Sequence, residues 1–455
     1  MRAGTRALLS FSLALAGAAG CDWRDFDNLE KNTPVAAISA PSNYPAKDEF
    51  GGILLAVSPP KDGSSAGRFI ATGSTTASVG VISFDAAGNA SGIGVNGQAI
   101  EQLMQGPITS IAEIPGEQKV VMGAPTKGFG DVLTMQLDAP PAGSTPQYPT
   151  MTFRPTVGEP LYGVGVGGGA IGGGAAAEVI VLSASTLHVY VDGQATNDKA
   201  HTSAGAGDPC PIDLSFDVDD PDLLNRPVIV GQLLASGTQI AVGTPAPKGG
   251  VGHVAVFDVD LTTGTFTCSA ALNATEARFG RAMTLVDLVP DANHTPDHLL
   301  VGAPPTHAYL YSLPLSTGQA PVMMATDATG GSFGASVAAF NIDATAGDEM
   351  FIGNPDATVG GAAKAGNVTV YTGESMTKVP SSAFPNPLAE HDPGSGNGYG
   401  SAVVGMTFCP ANVLSGGADG GAGSGAASCG PLPIVGALSK TFAYFTLKQP
   451  DPRVK

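Results

Sequence analysis

Apolar and polar residues alternate in short runs along most of this chain, as in EVIVLSASTLHVYV at 178–191 and HVAVFDVDL at 253–261. A period of two sends successive side chains to opposite faces of an extended backbone, so these runs predict β-strands. Gly, Pro, Asn, Asp and Ser fill the gaps between them, as turns require. Hardly any window keeps a 3.6-residue period over the length of a helix. The pattern predicts an all-β chain of strands and turns.

The strands fall into a repeating order. Phe279-Gly280 leads to HLLVGAPP and then HAYLYSL, Phe333-Gly334 to EMFIGNPD and GNVTVYTG, and Tyr399-Gly400 to PLPIVGALS and FAYFTL. Weaker copies keep the same sequence of parts. Phe50-Gly51 leads to RFIATGS and VGVISFD, GPITSIAEI to KVVMGAPT and DVLTMQLD, Tyr162-Gly163 to EVIVLSA and LHVYVDG, and RPVIVGQLL to QIAVGTPAP and HVAVFDVD. Seven units therefore start near residues 50, 107, 162, 227, 279, 333 and 399. Their spacing of about 52 to 66 residues suits four strands with loops. A length of 455 residues on its own suggests about three domains, and the repeat replaces that expectation with one.

The aromatic-Gly pairs, together with Gly123-Ala124-Pro125 and Gly302-Ala303-Pro304, resemble the FG-GAP repeats of integrin α chains and bacterial envelope proteins. The resemblance runs from about Phe50 to Leu447, and it implies a seven-bladed β-propeller of four-stranded antiparallel blades. Physics points the same way: one four-stranded sheet cannot bury both faces, and stacking seven around an axis closes the ring and leaves only short edges. The last unit supplies a third strand in FAYFTL and then a polar tail, whereas TPVAAISAP near the N-terminus is an unassigned apolar strand. We therefore expect residues 34–447 to form one propeller, closed by an N-terminal outer strand in blade seven, with 448–455 a tail.

The resemblance also implies where calcium binds in such repeats. Aligned on FIGNP, NIDATAGDE places Asn341, Asp343, Thr345 and Glu349 at side-chain ligand positions and Gly347 at the carbonyl position. Only two of these groups are charged, and Ala346 stands where the family has glycine. A weak Ca²⁺ site, near millimolar, or a purely structural turn is expected. In unit five Asp287, Asp291, Asn293 and Asp297 could gather round an ion, but three extra residues and His298 break the family register. The acidic run with Asp217, Asp219, Asp220 and Asp222 reads as a solvated turn.

The N-terminus changes the picture of location. Arg2 and Arg6 precede the apolar run ALLSFSLALAGAAG, and small residues lead into Cys21, the form of a secretion signal. AAGC resembles the bacterial lipobox, which implies a signal peptide over 1–20, lipid on Cys21 and a tether over 21–33. The expected location is the cell envelope, lipid-anchored at the outer membrane on its periplasmic or surface side, although Asp22 resembles an inner-membrane retention signal of enteric bacteria. Charge then excludes partners: Lys+Arg 21 against Asp+Glu 39 gives −18, which speaks against nucleic acid and anionic headgroups. Of five cysteines, four remain after Cys21, and in an exported chain they are expected as disulfides. Cys409 and Cys429 flank a Gly, Ala and Ser-rich insert and are the preferred pair; Cys210 and Cys268 then pair by elimination.

Two patterns imitate catalytic motifs. GGSFG at 330–334 fits G-x-S-x-G, but a Gly-rich linker precedes Ser332 and a blade strand follows, with no strand-to-helix elbow. GVGVGG at 163–168 fits a dinucleotide fingerprint, but no helix follows to receive a phosphate, and we read it as a flexible loop between two strands. The seven histidines are scattered and read as structural or surface residues. The expected function is a non-enzymatic envelope lipoprotein, monomeric, that binds a protein or glycan. The alternatives are a hydrolase or lyase at the propeller mouth and a passive assembly component.

Overall fold

A computed structural model describes residues 35–41, 50–59, 65–73, 78–95, 106–126, 130–137, 151–154, 158–172, 176–203, 208–212, 225–246, 251–276, 278–291, 295–327, 330–342, 347–371, 384–385, 398–409, 429–437 and 440–444. These residues form 28 strands, β1 to β28 in chain order, and no α-helix. The strands make seven four-stranded antiparallel sheets. The chain is a seven-bladed β-propeller.

Each unit lays down its strands from the axis outward. The first strands are β2 (Ile53–Val57), β6 (Ser110–Ile114), β10 (Gly165–Gly169), β14 (Val228–Gly231), β18 (Ala282–Val286), β22 (Ser336–Phe340) and β26 (Val403–Phe408). Each touches the first strand of the blade before and the blade after, and β26 touches β2, so the ring is closed. Closure is the one expected from the chain ends. β28 (Lys440–Tyr444) is the third strand of blade seven, and β1 (Val35–Ser39) pairs with it antiparallel, Val35 opposite Tyr444 and Ser39 opposite Lys440.

The hydrophobic core is a set of seven layers between blades, one per interface. Phe340 and Phe351 of blade six pack with Tyr399 and Phe442 of blade seven, and Met406 and Phe408 of blade seven with Phe50 and Phe69 of blade one. The remaining five clusters repeat this pairing round the ring. An isolated blade would expose both faces, so the unit of stability is the interface between neighbours.

The aromatic-Gly and Gly-Ala-Pro motifs meet at these interfaces. Phe50, Tyr162, Phe279, Phe333 and Tyr399 are buried, and the glycine after each has φ between 86° and 106°. That left-handed backbone, costly for any residue with a Cβ, turns the glycine carbonyl onto the preceding blade. A Cβ on Gly302 would lie 2.1 Å from Gly334 O, on Gly353 2.1 Å from Gly400 O, and on Gly436 2.0 Å from Gly51 O. The N–H of the same turn donates inward: Gly280 to Gly302 O at 3.1 Å, Gly334 to Gly353 O at 3.0 Å and Gly400 to Gly436 O at 2.8 Å. Gly51 against Gly436 joins the last unit to the first with the same contact.

One expectation is corrected. GVGVGG is not a loop: residues 165–169 are β10, the innermost strand of blade three, paired residue by residue with β11 (Glu178–Leu182). Its glycines are demanded by neighbours on both sides. A Cβ on Gly165 would meet Arg226 O at 2.6 Å, and one on Gly168 would meet Glu113 O at 2.4 Å.

Candidate functional site

The end of the ring where first strands turn into second strands carries the loop NIDATAGDE. Asn341 Nδ2 donates to Gly347 O at 2.6 Å, and Glu349 Oε2 accepts the Ile342 N–H at 2.8 Å. Asp343 and Thr345 lie outside the described residues. The neighbouring loop closes the other side: Asp348 N donates to Asp287 O at 2.8 Å, and Asp287 N donates to Asp348 Oδ2 at 3.0 Å. A Cβ on Gly347 would come 2.4 Å from Leu288 O. Calcium takes six to eight oxygens; here the Gly347 carbonyl and one Glu349 oxygen are bound within the loop itself.

Glu349 belongs to a set that recurs round the ring. In four blades a polar side chain at the start of the second strand accepts the N–H of a buried apolar residue two positions past the first strand. Glu178 Oε2 takes Ile171 N at 2.7 Å, Gln239 Oε1 takes Leu233 N at 2.9 Å, and Asp297 Oδ1 takes Leu288 N at 2.9 Å. Gln239 shows that the clasp needs an acceptor and not a charge. Burial pushes the Glu178 carboxyl above its ordinary range. Asp297 is also penalised by burial, but its bonds from His298, Leu288 and Val289 outweigh that and hold it below the usual carboxylate range. Asp291 accepts Thr295 N at 3.1 Å, so the blade-five acids serve loop geometry; Asn293 and Asp217 to Asp222 lie outside the described residues.

Blade seven puts a covalent bond at the clasp position. Phe408 pairs with Gly430, and the residues just beyond, Cys409 and Cys429, are joined with Cα atoms 4.2 Å apart. Cys210 pairs with Cys268 on β17 (Thr265–Asn273), the outer strand of blade four, at 5.6 Å. Both expected pairings are present.

Ser332 of GGSFG sits at a turn. Its hydroxyl donates to Asp356, and its N–H donates to Asn354 Oδ1 at 2.7 Å. A hydroxyl that gives its proton to a carboxylate on a turn lacks the imidazole relay of an activated serine. His188 of blade three is buried, with Nδ1 2.9 Å from Asp198 Oδ2 and Nε2 3.0 Å from Glu159 Oε2. It stacks on Tyr190, whose hydroxyl is 2.5 Å from that of Tyr162. No group of three or more His, Cys, Asp or Glu among the described residues is placed to hold a metal.

The feature that no motif marked is the axial channel. All seven first strands line it, over a volume of about 580 Å³. At the end where the aromatic-Gly turns lie, Arg226 of blade four and Arg278 and Arg281 of blade five stand at its mouth. The turn 278–281 is fixed by Arg281 N to Arg278 O at 3.1 Å and Gly280 N to Gly302 O at 3.1 Å. Arg281 Nη1 donates to Asn225 O at 3.2 Å, and the buried Arg226 gives Nη1 to Ile212 O at 3.3 Å. The two positions flanking the aromatic-Gly pair hold Leu161 and Val164 in blade three, Ser332 and Ala335 in blade six, and Gly398 and Ser401 in blade seven. Among the units that have an aromatic-Gly pair, arginine flanks it only in blade five, and Arg226 of blade four stands at the position matching Arg281. The usable signal was scarcity: only five arginines lie between residues 35 and 444, and three of them meet at this mouth. No family model matches the chain, and no curated protein matches it either.

Proposed function

We propose that this chain is a non-enzymatic cell-envelope lipoprotein of FG-GAP type, anchored through Cys21, whose propeller acts as a monomeric scaffold that binds another envelope or extracellular component. The observation that carries the reading is the channel mouth, where a closed ring gathers side chains that do not recur in every unit. Positions that build a repeat recur from unit to unit, and positions that serve a ligand need occur only once. Two disulfides favour an oxidising compartment. The fold itself says little about function, so the weight rests on the mouth and on the N-terminal leader.

A photo-crosslinking residue at Ala335, beside the mouth, and another at Thr263, on the outer edge, separate a binding mouth from an inert ring. Saturable cross-links to one component from position 335 and none from 263 are expected. Equal labelling from both positions overturns the reading. Mass spectrometry of the mature N-terminus should find diacylglycerol on Cys21, and Cys21→Ser should release the protein from membranes. Turnover of a small ester or glycoside that is lost in Asp356→Asn would establish an enzyme instead.

A further inference from the structure

We infer that the Cys409–Cys429 bond is a reducible clasp: a dithiol opens it in the folded protein, and its opening loosens the seam between blades seven and one. The clasp belongs to the ring and not to the channel mouth, so it stands or falls apart from the scaffold reading. The two disulfides differ in access. Cys429 is exposed, and Cys409 keeps 8% of its surface open at the end of β26, whereas Cys210 keeps none. Cys210 lies in the apolar layer between blades three and four, its Sγ 3.3 Å from Ala270 O, and Cys268 is half-buried. Exchange needs a thiolate to reach one sulfur while the other leaves as a thiolate. One thiolate of the dithiol attacks Cys429 Sγ, the S–S bond breaks, and its electron pair departs on Cys409, which takes up a proton. The second thiolate attacks the mixed disulfide, freeing Cys429 as a thiol and closing the dithiol's own disulfide. Two electrons and two protons pass to the protein, and the dithiol is oxidised. The same reaction at the other pair would leave a thiolate on Cys210 among apolar side chains, where burial disfavours charge.

The bond sits where blade seven meets blade one. Cys409 N donates to Ala66 O at 2.7 Å across that interface. Phe408 meets Phe84 edge-on with ring centroids 6.1 Å apart, and Met406 and Phe408 share a buried layer with Ala66 and Phe69. A Cβ on Gly67, the first residue of β3 (Gly67–Thr72), would lie 2.7 Å from Thr407 O. Residues 406–409 therefore carry this part of the seam, and the disulfide ties their end to β27 (Gly430–Gly436). Elsewhere the join is a hydrogen bond. Opposite the last residue of the first strand, Gly169, Gly231 and Phe340, stand Glu178, Gln239 and Glu349, each accepting an N–H from beyond that strand. Opposite Phe408 stands Gly430, which has no side chain to accept one. Once reduced, blade seven has no acceptor side chain there, at the interface where the last unit meets the first.

The full chain in detergent is treated with millimolar dithiothreitol without denaturant, and the freed thiols are alkylated and located by mass spectrometry. Cys409 and Cys429 should be labelled about tenfold or more faster than Cys210 and Cys268. Equal rates, or labelling of Cys409 and Cys429 only after unfolding, overturn the inference. Hydrogen exchange on the same partly reduced protein reads the consequence. Protection should fall at Cys409 and through β3, and hold in β15 (Gln239–Thr244) of blade four, across the ring. Cys409→Ser with Cys429→Ser should reproduce this pattern without reductant, with a melting curve to show that the variant folds; if it does not fold, the reduced unaltered protein carries the test. Loss of protection confined to Cys429 and Gly430, or no loss, would make the bond a local staple and overturn the clasp however fast it is reduced. Cross-linking from position 335 is read separately, so a failed clasp leaves the scaffold reading in place.

Discussion

His188 is buried beside Tyr162 and Tyr190, yet both of its ring nitrogens face carboxylates. Burial pulls its pKa down, but the hydrogen bonds and charges of Asp198 and Glu159 outweigh burial and the net shift is upward from 6.5. Its other close neighbours are phenols, and burial pushes Tyr190 up to about 12, so neither ring competes for the proton near neutrality. A raised folded pKa means that the stabilisation is complete below the unfolded value and is lost as pH climbs through the folded one. His188→Gln should therefore cost about 1 to 2 kcal/mol at about pH 5.5, less than a fully buried ion pair because Glu159 and Asp198 are partly open to solvent. Melting curves should show the gap to the unaltered protein narrowing towards about pH 9; a gap that widens with pH refutes the charged-histidine reading. Glu349 gives a second test at this scale. Glu349→Gln keeps an acceptor for Ile342 N, as Gln239 does for Leu233, and should leave stability within about 0.5 kcal/mol. Glu349→Ala orphans that N–H and should cost about 1 to 3 kcal/mol. Melting in about 10 mM calcium should match melting in chelator, since a ligand at ten times its Kd would add about 1.4 kcal/mol. A calcium-dependent gain that Glu349→Gln abolishes would make the loop a metal site.

Between elements, the glycine contact found at five of the seven interfaces is the tightest constraint in the ring. Gly302→Ala places a methyl 2.1 Å from Gly334 O, on rigid backbone that has no rotamer to move, and should cost about 2 to 4 kcal/mol as an overpacked core does. Gly318 has φ 70° and nothing near its absent Cβ, so Gly318→Ala pays only for backbone strain, about 1 kcal/mol. Comparable losses from the two substitutions, measured by urea unfolding, would show that strain and not the interface dominates. This contact explains how far the fold was readable. Phe-Gly and Gly-Ala-Pro recur because the left-handed turn and the close approach admit no other residue, so a physical necessity was written as a motif. Gly165 to Gly169 obey the same necessity in a strand, where glycine is normally depleted, and they imitated a loop. Arg278 has no counterpart in the other units, and a search for recurrence passes over what is not repeated.

At the scale of the molecule, stability depends on a seam. Six of the seven blades take all four strands from consecutive chain, whereas blade seven needs β1 from the opposite end, packed with Ile38 against Phe50 and Phe408. Every interface round the ring relies on its neighbours, so opening one seam uncovers two blade faces and a strand edge at once, and unpaired edges invite association. Deleting residues 35–39 should lower the melting temperature and produce aggregation. That result alone would not distinguish a seam from any lost strand, so the converse variant carries the argument. Ser39 and Lys440 lie opposite each other in the β1–β28 register, and Ser39→Cys with Lys440→Cys would tie a loop of about 400 residues, worth up to about 6 kcal/mol by chain entropy. If unfolding begins at the seam, the oxidised variant should unfold many times more slowly than its reduced form, because the bond acts on the step that opens the ring. An unchanged unfolding rate, with the disulfide shown to be formed, would mean that the propeller opens elsewhere. The interface between blades three and four would be the place to examine next: there Leu182 and Asn225 stand where five interfaces have the glycine contact, and Cys210–Cys268 already supplies a bond.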